Sequence, residues 1–91
     1  MAHPLQQFVD TLVIKSDVDG VRELVTTTDP PEGLDVRQRR QGSTGLGHPV
    51  TGGRTYFPAL MGSFHSWFIP AGYEAVFELG GTNVTVPSPE G

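Results

Sequence analysis

The last third of the chain is cut into short pieces, and this restricts its fold more than any other feature. "RTYFPAL", "SFHSWFI", "YEAVFEL" and "TNVTVP" are β-prone runs separated by Met61-Gly62, Pro70-Ala71-Gly72 and Gly80-Gly81. β-Branched and aromatic residues suit a pleated, half-buried surface, while glycine and proline end such runs. A turn at Gly80-Gly81 sets Phe77 opposite Val84 and Ala75 opposite Val86. Tyr73, Ala75, Phe77 and Leu79 then form an inward face, with Glu74 and Glu78 turned to solvent.

The segment Asp10–Thr28, "DTLVIKSDVDGVRELVTTT", reads as a second hairpin. A loop Val18-Asp19-Gly20 places Asp17 opposite Val21, with Gly20 taking a positive φ. Counting outward, Lys15 meets Glu23, Ile14 meets Leu24, Val13 meets Val25 and Thr11 meets Thr27. Opposite charges and like apolar groups align in that register, as cross-strand pairing favours. Upstream, Leu5, Phe8, Val9, Leu12 and Val13 also fit helical spacing, with Pro4 at a first-turn position, so a short helix or arm fits residues 4–9.

Asp29-Pro30-Pro31-Glu32-Gly33 breaks the chain. "LDVRQRR" fits a short strand, and the glycine-rich stretch that follows reaches Gly53. These runs predict a mainly β chain: a small antiparallel sandwich or partly open barrel of about five or six short strands. A long Gly-rich loop and extended termini complete it. Residues 1–91 form a single small β-rich domain, with a loop or arm at 37–55.

Charge is unevenly distributed. The net charge is −4, yet residues 36–73 hold Arg37, Arg39, Arg40 and Arg54 and no acid, a local +4. The segments before and after carry −5 and −3. Such a block is balanced within the fold, by a neighbouring copy, or by an acidic partner. The basic cluster lacks an aromatic between Arg37 and Arg54, and the chain is acidic overall, which disfavours nucleic acid.

Several chemistries are excluded or weakly supported. The chain has no cysteine, hence neither disulfides nor thiolate metal sites. "GSTGLG" lacks the Gly-Lys-Ser/Thr of a phosphate loop, since the only lysine is Lys15, and its glycine order is not the dinucleotide fingerprint. "DVDG" has a lysine and a threonine where a calcium loop needs acids. His3, His48 and His65 lie far apart without metal-ligand spacing, and no cofactor is expected. His48, before Pro49, is expected at the surface; His65 belongs to the rim or the core. "GSFHSW" is not a nucleophile elbow. Glu74 and Glu78 on one strand stand too far apart for paired acid–base work. Asn83-Val84-Thr85 matches a glycosylation acceptor only by coincidence if the chain is not secreted.

"MAHPLQQFVDTLVIKSD" has no basic leader and no long apolar run. The expectation is a protein of the cytoplasm or of a particle assembled there, such as a virion, not secreted by a signal peptide and not in a membrane. The leading functional expectation is a non-catalytic structural subunit of a larger assembly. Capsid accessory or decoration proteins and phage tail connectors are of this type. It would contact other copies of itself or a larger protein lattice through its loop and termini, with Arg37, Arg39, Arg40, His48 and Arg54 as contact residues. The alternative is a soluble sugar- or peptide-binding module that uses Phe64, Trp67 and Tyr73 as an aromatic contact face. The third is a small barrel enzyme with His65 as acid or base.

Overall fold

The computed structural model describes residues 3–16, 20–50, 53–57 and 62–87, with side chains over 3–15, 20–50 and 64–87. Among the described residues one helix, α1 (Pro4–Val9), precedes eight strands. They are β1 (Val13–Ser16), β2 (Val21–Thr26), β3 (Asp35–Arg40), β4 (His48–Pro49), β5 (Gly53–Phe57), β6 (Gly62–Pro70), β7 (Tyr73–Leu79) and β8 (Thr82–Val86). They form two antiparallel four-stranded sheets, ordered β1-β2-β6-β5 and β4-β3-β7-β8. The chain is mainly β, as its punctuation requires, and the sheets do not close into a barrel.

Each sheet is built on one of the two local hairpins. β1 pairs with β2 in the register that charge and hydrophobicity favour, Lys15 with Glu23, Ile14 with Leu24 and Val13 with Val25. Of the expected loop, Val18 and Asp19 lie outside the described residues, and Gly20 takes the expected positive φ, 80°. β7 pairs with β8 so that Phe77 meets Val84 and Ala75 meets Val86. The remaining strands add through distant pairings, β6 onto β2 and β3 onto β7.

The N-terminal rival for Leu5 and Phe8 resolves as helix. Pro4 opens α1, where its missing N–H costs nothing, and His3 caps it by accepting the Leu5 N–H on Nδ1 at 3.0 Å. Helical spacing turns Leu5 and Phe8 to one side, and both are buried. There α1 rests on β7 and β8. After Leu12 the β-branched run takes over and the chain enters β1.

The core lies between the sheets. Leu24, Trp67 and Ile69 face Val36, Ala75, Phe77 and Val86, with Leu5 and Phe8 inserted from α1. Trp67 meets Phe8 and Phe77 edge-on, with ring centroids 6.1 and 5.8 Å apart. Edge-to-face contact suits aromatic quadrupoles, so these rings tie the helix to both sheets. Ala75 and Phe77 point inward as the alternation predicts, with Tyr73 and Leu79 half-buried at the ends. Glu74 departs from its expected solvent position: it is buried on the outer face of its sheet.

Candidate interaction surfaces

The acid-free stretch from Arg37 folds back on its own sheet. Arg37–Arg40 belong to β3, and positive φ at Gly42, Gly45 and Gly47 lets the chain return as β4. Arg37 then pairs with Pro49, Gln38 with His48, and the Val50 N–H donates to the Val36 carbonyl at 2.9 Å. Gly47 is sterically required: a Cβ there would overlap the Gln38 carbonyl and lie 2.7 Å from Arg39 Cβ.

Two of the four arginines find partners within this hairpin and its neighbouring strand. Arg37 Nε donates to Asp35 Oδ2 at 2.8 Å, and its Nη1 reaches the Gly47 carbonyl at 3.3 Å. Arg39 Nε donates to Glu74 Oε1 at 2.9 Å, and Nη1 to the Gly45 carbonyl at 2.7 Å. Asp35 and Glu74 immediately flank the acid-free block, and the β3–β7 register sets Arg39 directly opposite Glu74. Burial of Glu74 follows, because the Arg39 side chain lies over it. Part of the charge asymmetry is therefore balanced inside the fold. Arg40 and His48 are exposed; β5 carries Arg54, whose side chain lies outside the described ones.

The three aromatics expected to share a contact face do not. Trp67 is core. Phe64 alternates to the outer face of β6, whereas Tyr73 sits on β7 with the inward parity of Ala75. His65, between them, lies 3.1 Å through Nε2 from Oδ1 of the exposed Asp29. Nearby, the Thr26 hydroxyl bonds that of Thr11 at 2.8 Å and accepts the Thr28 N–H. No three His, Asp or Glu residues among those described converge as a metal site. No described helix is long and apolar enough to cross a membrane.

No family model, no curated protein and no solved structure matches the chain. What its surface can do must follow from its own chemistry.

Among the described residues, the exposed large apolar side chains are Val13 (57%), Ile14 (50%), Leu46 (47%) and Phe68 (56%). Val13 and Phe68 share the outer face of the β1–β2–β6 sheet, because Trp67 and Leu24 turn inward. Val21, Val25 and Phe64 lie on the same face, with Lys15 and Glu23 as its charged members. Leu46 stands on the β3–β4 loop, where residues 41–49 are all exposed. Neither Phe68 nor Leu46 is an expected contact residue from sequence. Phe68 was legible through alternation once Trp67 is assigned inward: Phe64, Ser66 and Phe68 then fall on the opposite face.

Arg22 is the other residue whose role the sequence conceals. It lies on the inner face of β2, buried, and donates through Nη1 to the Pro87 carbonyl and through Nη2 to the Tyr73 carbonyl, both at 2.8 Å. Its Nε has no hydrogen-bond partner among the described atoms. Desolvation by burial lowers its pKa from the usual arginine value. The side chain ties β2 of one sheet to the start of β7 and the end of β8 in the other.

Proposed function

We propose that this chain is a non-catalytic structural subunit of a larger protein assembly, of the kind that capsid accessory proteins and phage tail connectors represent, in a particle assembled in the cytoplasm. The observation that supports this reading is the apolar outer face of the β1–β2–β6 sheet, centred on exposed Phe68 and Val13. One face of a two-sheet sandwich is ordinarily polar, since only the inner face needs to be dry. Exposed Val13 and Phe68 on one sheet face, with Lys15 and Glu23 in the Phe68 row of the register, fit a protein contact that is part apolar and part charged. Lys15 and Glu23 within it supply direction, and aromatic anchors such as Phe68 carry most of the energy of such contacts. Leu46, on an open glycine-rich loop with Arg40 and His48 exposed near it, offers a second point of contact.

The test separates contact from folding. Phe68→Ser and Leu46→Ser remove exposed side chains, so each is expected to change stability by no more than about 0.5 kcal/mol. Phe68→Ser is expected to release the chain from its native complex, read by size fractionation of extract from cells that carry the protein. Retention of both variants at wild-type levels would overturn the reading.

A further inference from the structure

Four strands form the sheet edges, β1 and β5 in one sheet, β4 and β8 in the other. An edge presents unpaired N–H and C=O groups, so folded proteins guard edges with charge, proline or brevity. β1 carries Lys15, β5 carries Arg54, and β4 is two residues long and contains Pro49. β8 has none of these guards, and although α1 packs against it, Asn83 and Thr85 stay exposed. Its five residues, Thr82-Asn83-Val84-Thr85-Val86, include no charge and are β-branched at every position except Asn83. The nearest proline, Pro87, stands beyond the strand.

The hairpin geometry decides which backbone groups are free. Gly80 and Gly81, at φ of 58° and 85°, form a two-residue turn that closes on the Leu79–Thr82 pair. A turn of this type makes its flanking residues a hydrogen-bonded pair, so Thr82, Val84 and Val86 direct their backbone groups at β7. Asn83 and Thr85 direct theirs away from β7, and both residues are exposed. Among the described residues no strand lies beyond β8.

We infer that β8 is a self-complementary edge at which a second copy of this chain adds its own β8, antiparallel, about a two-fold axis through Val84. The strand is nearly palindromic in chemistry. On the axis, Val84 meets Val84 of the second copy on the inner face, extending the apolar layer that it already borders. Asn83 meets Thr85 of the second copy on the outer face, and the reciprocal pair does the same. Both are the residues whose backbone groups point outward, so each pair closes as a hydrogen-bonded pair and the Val84 pair falls in the close non-hydrogen-bonded position between them. Like charges do not meet, because β8 has none. The β4-β3-β7-β8 sheet of one copy and that of the second become one continuous sheet. A two-fold contact of this kind uses the same patch on both partners. The inference deepens the structural-subunit reading, which gives it its biological meaning, by naming one neighbour as a second copy.

Sedimentation equilibrium of the full chain over roughly a hundredfold range of concentration tests this, since self-association shifts by mass action. Wild type is expected to dimerise, and Thr85→Pro, which removes an outward N–H but no bond to β7, is expected to weaken the dimer at least tenfold. Phe68→Ser, on the other sheet, is expected to leave the dimer constant unchanged. Hydrogen exchange on the unaltered chain gives a second reading that needs no variant: the Asn83 and Thr85 amides slow as the dimer fills. A monomer throughout, or a dimer in which these amides stay fast, overturns the inference. If Phe68→Ser rather than Thr85→Pro dissolves the dimer, the β8 inference also fails, while the structural-subunit reading stands. That reading is judged separately, by residence in the native complex.

Discussion

On the inner face of β2, Arg22 occupies a place that an aliphatic side chain would fill without desolvating a charge. Its two hydrogen bonds go to backbone carbonyls, not to a carboxylate, and Nε is left without a partner among the described atoms. Each bond contributes a net of about 0.5–1.5 kcal/mol, and burial of the charge offsets much of that. The packing of its stem should therefore matter more than its charge. Arg22→Met is expected to change stability by less than about 1.5 kcal/mol, whereas Arg22→Ala opens a cavity and is expected to cost about 2–4 kcal/mol. Urea denaturation of both variants checks this; equal losses would place the energy in the carbonyl bonds instead. The Arg39–Glu74 pair shows the opposite logic at the same scale. There each partner satisfies the other, and the loop carbonyl of Gly45 takes a further N–H.

At the scale of elements, local pairings were legible and distant ones were not. The β1–β2 and β7–β8 registers follow from alternation, turn residues and charge pairing within about twenty residues, and the structure reproduces both. The β2–β6 and β3–β7 pairings join segments far apart in the chain, with no local signal that chooses between partners. The solvent position that alternation predicts for Glu74 fails for that reason. Alternation places it on the outer face correctly, but only the β3–β7 register brings Arg39 over it. The same gap made residues 37–55 look like one long arm. The glycines mark the turn, but the return of β4 onto β3 depends on Gly47 approaching the backbone where a Cβ cannot fit. Gly47→Ala is therefore expected to cost about 2–4 kcal/mol or to detach β4, because overlap adds to the left-handed backbone cost of about 1–2 kcal/mol. Gly42→Ala meets open space and is expected to lose only the latter. Thermal melts, with amide exchange at Val50, distinguish the two.

For the whole molecule, stability rests on a small core joined by three rings. Without cysteine no covalent link supports it, and domains of this size are stable by only about 5–15 kcal/mol. Trp67 touches both the helix and the opposite sheet, so Trp67→Ala is expected to cost about 3–5 kcal/mol and bring the chain close to unfolding. A change under 1 kcal/mol in denaturant titration, an order-of-magnitude threshold, would contradict that placement. Of the interaction surface, only part was legible. The basic block is plain in the sequence, but two of its arginines are engaged within the fold, and the exposed apolar residues of the outer sheet face follow only from strand parity. The most direct test of the structural role is native mass spectrometry of the particle that holds this chain in its own cells. The expected result is a species far heavier than the 9.8 kDa chain, with several copies of it or of a protein neighbour, and its loss in the Phe68→Ser variant. A chain found only as a 9.8 kDa monomer would contradict it.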